Sequence, residues 1–416
     1  MIRRFTVGII IALLTKCDGL CSESSNNDPV ESVYTSLRRE RQNFEEGAAA
    51  LKRRDYESAV SLFSKVLKSS PTNAPALCFR AKAYLEMCEF DKAVNDATAG
   101  IRYAPSMYVG YLYRATALTC LSRYDEALAD TEAAIRLEPD KSGPCVGRAT
   151  ILMIQKKFDQ AITNYDRAIS LSPSNPDYYL RRGCAYSGKG EFGKAIENFS
   201  NAIDLEPLFA SAYAERIRAY RMIRNFEAII SDCTKLIGLT AQTNGWWFFE
   251  RGWACADSRN NKQAIRDFGE YIRLCPGGAA IGYANRGLIY SREGDFERGI
   301  ADCRRAVELE RTNQVALNNL AWLLSVCPIT SYRDGEEALI HAKKAVELSN
   351  STNSLYLGTL AAAYAEAGNF PEAVRSQRQA IKVGFDEEDA KRASDRLLLF
   401  EQGKPYREEG NQPGKQ

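Results

Sequence analysis

The sequence predicts an all-α protein, an α-solenoid of about ten helix hairpins with a C-terminal capping helix. Two series of residues lead to this prediction, because both recur every 34 residues through consecutive units. The prolines are Pro71, Pro105, Pro139, Pro173 and Pro207. The alanines are Ala59, Ala93, Ala127, Ala161 and Ala195. A unit of this length holds two helices and a turn, and it buries its apolar side chains by packing on its neighbours.

One unit shows the pattern most clearly. Gly183 and Ala195 are small where two antiparallel helices cross, and Tyr186 and Phe199 fill the space beside the crossing. Pro207 ends the second helix, because it lacks an N–H and disfavours helical geometry in the residue before it. In this order of residues the unit resembles the tetratricopeptide repeat (TPR) family. The resemblance implies a right-handed superhelix whose first helices line a concave groove.

The same register places repeats along most of the chain. They begin near residues 40, 74, 108, 142, 176, 210, 245, 280, 314 and 354. Polar or glycine residues followed by an aromatic residue separate the two helices, as in Gly190-Glu191-Phe192. In the ninth repeat, residues 327–335 lengthen this turn, which predicts a local protrusion. The solenoid is therefore predicted over residues 40–385.

The N-terminus has the layout of a secretory signal peptide. Arg3 and Arg4 precede an apolar run over residues 5–14, and small and polar residues follow. This run is shorter than the about 20 residues that cross a bilayer, and no later segment is long and apolar enough. We therefore predict a signal peptide over residues 1–21, a flexible leader over residues 22–39, and an exported mature chain without a membrane span, either periplasmic or secreted.

The C-terminal third carries a second resemblance. Residues 386–402 are predicted as the capping helix, with acidic residues at its start and apolar residues on one face. Residues 403–416 are predicted as a disordered tail. Four motifs resemble the closing repeats of multi-repeat bacterial TPR proteins and so imply a bacterial origin: Ala321-Trp322-Leu323-Leu324, Arg333-Asp334-Gly335, Leu360-Ala361-Ala362-Ala363-Tyr364-Ala365-Glu366-Ala367-Gly368 and Gly403-Lys404-Pro405-Tyr406-Arg407-Glu408. Together with the N-terminal pattern, this origin suggests the bacterial envelope.

Charge and chemistry argue against nucleic acid and against catalysis. The chain has 55 Lys and Arg against 53 Asp and Glu, which gives no field that would gather a polyanion. The single histidine, His341, has no nucleophile motif around it, and no phosphate-binding loop or zinc spacing occurs. Of the 12 cysteines, Cys233 and Cys303 occupy the position of Phe199 and are predicted to be buried. We therefore expect no enzyme, no cofactor, no metal site and no nucleic-acid partner.

One set of polar residues recurs early in the second helices. Two interpretations are open for this ladder. Its members can compensate the helix dipole and form hydrogen bonds between neighbouring repeats, or they can form a track for cations or a basic peptide. The members are Asp96, Asp130, Asn164, Asn198, Asp232, Asp267 and Asp302.

The candidate binding residues follow from the groove positions that the TPR resemblance implies. All four tryptophans fall between residues 246 and 322, and two arginines precede them. Tryptophan and arginine dominate binding hot spots. The alternative is that the tryptophans, Trp247 above all, fill gaps in the core. The predicted partner-binding residues are Arg218, Arg221, Trp246, Phe249, Trp253, Asn318 and Trp322.

The sequence thus predicts a noncatalytic scaffold that binds a protein or peptide segment along its concave groove. Phe44 and Ala48 stand where the chaperone-type carboxylate clamp of the family has lysine and asparagine, which argues against chaperone tails as ligands. Two alternatives stay open. The chain can be an accessory subunit of an envelope enzyme or secretion complex, or its tryptophans can form a noncatalytic carbohydrate-binding surface.

Overall fold

The computed structural model describes residues 29–240, 243–385 and 387–408. These residues form 21 α-helices and two short 3₁₀ helices, without a strand. The predicted all-α fold is therefore confirmed. The predicted signal peptide and residues 409–416 of the predicted tail lie outside the described residues. The chain divides into two compact units, residues 1–173 and 174–416.

The first unit is a stack of helix hairpins in which each helix packs against the next along the chain. Its helices are α1 (Pro29–Lys52), α2 (Tyr56–Ser69), α3 (Ala74–Glu86), α4 (Phe90–Tyr103), α5 (Tyr108–Cys120), α6 (Tyr124–Leu137), α7 (Ser142–Ile154) and α8 (Phe158–Leu171). Each odd-numbered helix is the first helix of a repeat, and the helix after it is the second.

The second unit continues the same alternation and ends on a single helix. Its helices are α9 (Pro176–Gly188), α10 (Phe192–Leu205), α11 (Ala210–Met222), α12 (Phe226–Leu239), α13 (Gly245–Asp257), α14 (Asn261–Leu274), α15 (Ala279–Arg292), α16 (Phe296–Leu309), α17 (Gln314–Val326), α18 (Gly335–Leu348), α19 (Ser354–Glu366), α20 (Phe370–Val383) and α21 (Glu387–Glu401). Helix α21 packs against α20 and occupies the predicted capping segment. Within the described residues, no helix combines the length and apolar composition needed to span a membrane.

The turns inside the hairpins use a left-handed residue, and side chains cap many of the helices that follow. Gly190 and Gly294 have φ angles of 81° and 83°, a region that glycine enters without steric cost. Gly368 plays the same part before α20. The next residue, Asn369, is the N-cap of α20, and its side chain accepts a hydrogen bond from the Glu372 backbone N–H. The turn residues identified in the sequence therefore lie between the two helices of these hairpins.

The core is built from the small and aromatic residues that repeat. Phe199 is fully buried, and a Cβ on Gly183 would lie 2.5 Å from the Phe199 Cε1 atom, which confirms the close crossing. Ala195 is also fully buried. Cys233 and Cys303 are 0% exposed, and burial raises the pKa of both thiols, which confirms them as small buried apolar residues.

Two predicted boundaries differ in the structure. Residues 29–39, assigned from the sequence to a flexible leader, are helical, because α1 begins at Pro29 and runs unbroken to Lys52. Proline is tolerated in a first helical turn, and the glutamate and arginine residues that follow it are good helix formers. Residues 403–408, assigned to a disordered tail, leave α21 and pack against α17, with the Glu408 backbone N–H donating to the Val326 carbonyl over 3.0 Å.

Candidate binding surface

Five of the seven members of the predicted ladder are carboxylates, and each is held by an arginine of the same repeat. Arg216 on α11 donates two hydrogen bonds to Asp232 on α12, of 2.8 and 2.7 Å. Its third nitrogen donates to the Ser200 hydroxyl of the preceding repeat over 2.8 Å. The same two-bond pairing joins Arg80 to Asp96, Arg114 to Asp130, Arg251 to Asp267 and Arg286 to Asp302.

The asparagines of the ladder also have structural partners. Asn198 accepts from Arg182 over 2.7 Å, and the Asn164 amide donates to the Gln160 carbonyl over 2.7 Å. Arginines already occupy the carboxylates, which favours the structural interpretation over a cation or basic-peptide track. Hydrogen bonding between neighbouring repeats is the better interpretation, and the arginines provide the link.

The centre of the candidate surface is a stack of Arg221 on Trp253. The Arg221 guanidinium carbon lies 5.5 Å from the centre of the Trp253 ring, and the Phe226 ring meets the same tryptophan edge-on at 5.7 Å. Arg221 also forms an ion pair with Glu250, a carboxylate that is only 5% exposed. Helix α11 supplies the arginine and α13 supplies Glu250 and Trp253. The ion pair fixes the guanidinium over the ring.

A second aromatic pair lies at the start of α13. Trp246 is 48% exposed and stacks on Phe249 with ring centres 5.4 Å apart. Phe249 in turn contacts Phe268 and Tyr271 of α14, at 5.7 and 5.0 Å between ring centres. Phe249 is thus the anchor, and Trp246 presents its ring to solvent.

Arg218 lies one turn before Arg221 on α11. Its side chain is 71% exposed and pairs with Glu215 of the same helix over 2.6 Å. A pair three residues apart on an exposed helix contributes little to stability. The guanidinium is therefore available to a partner at low energetic cost. By contrast Trp247 packs against buried residues of α11, α12 and α14, so the gap-filling interpretation holds for this tryptophan.

Asn318 and Trp322 lie on α17, and among the described residues no ring contact joins them to the aromatic residues of α13. The Trp322 indole N–H donates to Glu408 over 3.1 Å, and the ring meets Tyr406 at 5.9 Å between centres. The Arg396 guanidinium lies 5.4 Å from the ring centre. The chain's own C-terminal segment therefore packs on Trp322, and the role of this tryptophan in binding a partner stays a prediction.

The sequence analysis missed residues around both Trp253 and Trp322. Glu250 was missed, because a carboxylate inside an aromatic helix gives no hint that an arginine 29 residues earlier pairs with it. The contact of Tyr406 and Glu408 with Trp322 was also missed. Its signal was present, since the motif over residues 403–408 and the motif around Trp322 belong to the same resemblance.

Comparisons with known proteins agree with the hairpin architecture. Models of the tetratricopeptide repeat match residues 50–95, 149–190, 176–207 and 280–313. Among curated proteins, none matches this sequence.

Several solved structures match parts or most of this chain. A thermophilic TPR protein of Thermus thermophilus is 19% identical, with 44% of this chain and 98% of that one covered and a TM-score of 0.39. A TPR protein of Parabacteroides merdae is 15% identical over 68% of this chain and 98% of that one, with a TM-score of 0.39. A chain of the APC/C hetero-tetramer Cut9-Hcn1 is 13% identical over 89% and 91%, with a TM-score of 0.44. The matched repeats and the paired helices together identify this chain as a member of the tetratricopeptide-repeat family.

Proposed function

We propose that this protein is a noncatalytic scaffold that binds a protein or peptide segment along the groove formed by the first helices of its repeats. Proteins of the TPR family generally mediate protein–protein interaction. Within the second unit, the proposed contact residues are Arg218, Arg221, Trp246, Phe249 and Trp253.

The observation that carries this proposal is that a large aromatic ring and an available guanidinium are both exposed on the first helices of two consecutive repeats. Trp246 is 48% exposed although it stacks on the partly buried Phe249, and the Arg218 side chain is 71% exposed. Aromatic and arginine side chains at the centre of an interface provide most of its binding energy. Residues of this kind on first helices α11 and α13 favour recognition of another protein over a purely structural role.

The test is the double variant Arg218→Ala/Trp246→Ser, since both side chains are exposed and neither supports the core. The mature protein and the variant are used to capture partners from the protein's own cell envelope, followed by mass spectrometry. We expect a partner that the natural chain retains to be lost from the variant by at least about tenfold, the effect of about 1.4 kcal/mol.

The matched control is Leu208→Ser/Arg305→Ala, which removes an exposed apolar side chain and an exposed arginine elsewhere in the same unit. Capture by the control is expected to equal that of the natural chain, and circular dichroism checks that all three keep their helix content. Equal capture by both double variants would place the binding site elsewhere.

We also propose that the chain is exported, on the strength of the charged, apolar and small-residue pattern in residues 1–21. The measurement is N-terminal sequencing of the protein recovered from separated cell fractions. A mature N-terminus near residue 22 in the envelope or the medium is expected. An intact Met1 on protein confined to the cytoplasm would contradict export.

A further inference from the structure

The C-terminal segment shows how this chain holds an extended peptide on a tryptophan. Residues 404–408 contain no helix and lie against α17. The Glu408 carboxylate accepts from the Trp322 indole N–H over 3.1 Å, and the Tyr406 ring packs on the Trp322 ring at 5.9 Å. The segment thus provides an aromatic residue and, two positions later, a carboxylate.

Backbone contacts and an ion pair complete this arrangement. The Glu408 N–H donates to the Val326 carbonyl over 3.0 Å, and the Arg407 guanidinium donates to the Ser325 carbonyl over 3.2 Å. Arg407 also pairs with Glu366 over 2.6 Å. The side chains at alternate positions therefore face the tryptophan, while the residue between them faces the end of α17 and α19. This is the pattern of an extended segment, in which successive side chains point to opposite sides.

Trp253 occupies the same repeat position as Trp322. Each is the ninth residue of a first helix, because α13 begins at Gly245 and α17 begins at Gln314. Each ring also carries a guanidinium at nearly the same distance, Arg221 at 5.5 Å in one case and Arg396 at 5.4 Å in the other. The difference is that the Trp253 indole N–H makes no hydrogen bond within the described part of the chain, whereas that of Trp322 is bonded to Glu408.

The outward-facing charges that α11 contributes around the Arg221–Trp253 stack are positive. The Arg218 and Arg221 side chains are 71% and 41% exposed, while the carboxylates that pair with them, Glu215 and Glu250, are 30% and 6% exposed. The cations therefore reach outwards and the anions lie behind them. A carboxylate on a partner would meet two guanidinium groups and an indole N–H, all of which are donors.

From this shared geometry we infer that the surface around Trp253 binds an extended acidic segment of a partner protein, in which an aromatic residue precedes a carboxylate by two positions. The aromatic ring packs beside Trp253, and the carboxylate accepts from the Trp253 indole N–H and from Arg218. Glu250 stays in place and keeps Arg221 over the ring. This inference rests on the proposed function and names the chemistry of its ligand.

The experiment uses the full mature chain and four fluorescent peptides of equal length, with blocked ends and one glutamate outside the tested triplet. The triplets are Tyr-Ser-Glu, Tyr-Ser-Gln, Ala-Ser-Glu and the reversed Glu-Ser-Tyr. Fluorescence anisotropy is expected to show binding of the Tyr-Ser-Glu peptide at least about tenfold tighter than each of the other three, since each of them lacks the ring, the charged acceptor or their order along the peptide.

Two variants locate the binding. Trp253→Phe keeps an aromatic ring for packing and removes the indole N–H, and Arg218→Ala removes the exposed cation. Each is expected to weaken binding of the Tyr-Ser-Glu peptide by about tenfold and to weaken binding of the Tyr-Ser-Gln peptide, whose amide oxygen is a neutral acceptor, by clearly less. Leu208→Ser serves as the control and is expected to change neither. Circular dichroism confirms that Trp253→Phe is folded.

Equal affinity for glutamate and glutamine peptides, or no binding of any peptide, would overturn the inference. Tight competition by a single-stranded oligonucleotide that depends on Arg218 and Trp253 would overturn it as well, because the surface would then select phosphates and bases. In each of these cases capture of an envelope protein through Arg218 and Trp246 still supports the proposed function. The proposed function itself is contradicted by a different result, namely equal capture by the Arg218→Ala/Trp246→Ser variant and by its control.

Discussion

Replacing Asp267 by alanine is expected to lower the free energy of unfolding around α13 and α14 by about 3–5 kcal/mol. Asp267 is 1% exposed and accepts two hydrogen bonds from Arg251, of 2.8 and 2.7 Å, and a third from Gln263 over 2.8 Å. The arginine side chain is itself only 15% exposed. Removing the carboxylate leaves this cation largely buried without its counter-ion, which costs far more than the pair contributes to stability.

The measurement is urea unfolding followed by circular dichroism, together with hydrogen exchange of α13 and α14, because repeat proteins can open locally. Glu308→Ala is the matched control. It breaks the exposed Arg305–Glu308 pair, whose side chains are 55% and 64% exposed, and is expected to change stability by less than about 1 kcal/mol.

A second variant separates the unpaired charge from simple loss of packing. Asp267→Asn keeps an acceptor for Arg251, as Asn198 does for Arg182 over 2.7 Å in the fifth repeat. It is expected to be clearly less destabilising than Asp267→Ala. If Asp267→Ala, Asp267→Asn and Glu308→Ala changed the free energy of unfolding equally, the buried arginine–aspartate pairs would not be important for stability.

Replacing Phe199 by alanine is expected to destabilise the second unit by about 3–5 kcal/mol. The ring is fully buried, and Gly183 is without a side chain directly opposite it, since a Cβ there would come within 2.5 Å of the ring. Helices that cross this closely cannot move together to fill the space that the ring leaves. The loss therefore includes both the transfer of the ring from the core and the cavity that stays behind.

Leu205→Ala in the same helix is the control, because Leu205 is 44% exposed and its truncation opens no cavity. Urea unfolding is expected to place this variant within about 0.5 kcal/mol of the natural chain. If Phe199→Ala unfolded at the same urea concentration as Leu205→Ala, the two crossing helices would be able to move together and fill the cavity.

Particular elements show why the hairpins were predictable and the ends were not. The positions of Gly183, Ala195 and Phe199 recur at fixed spacing, and most units fill the first two with small residues because helices cross closely there. The helical boundaries follow from turn residues such as Gly190. Residues 29–39 lie before the first repeat, so the repeat pattern does not cover them. Composition alone suggested a flexible leader, although these residues are helical.

The candidate site was predictable only as a set of residue types. Arg221 and Trp253 were chosen because they occupy groove positions of the family, and the structure stacks one on the other at 5.5 Å. Trp322 was chosen by the same reasoning, yet Tyr406 and Glu408 pack on it. A position in a repeat does not tell whether a distant part of the chain already lies there.

By itself, the sequence determined that this chain is an array of paired helices, which helices begin where, and which small and aromatic residues form the core. These features depend on contacts within a repeat or between adjacent repeats, so their causes recur every 34 residues. Only the tertiary structure decided that the acidic ladder is held by arginines, that Glu250 fixes Arg221 over Trp253, and that residues 403–408 cover Trp322. Those outcomes depend on which side chains meet in space and which charges are buried, and neither is written in the spacing of residues along the chain.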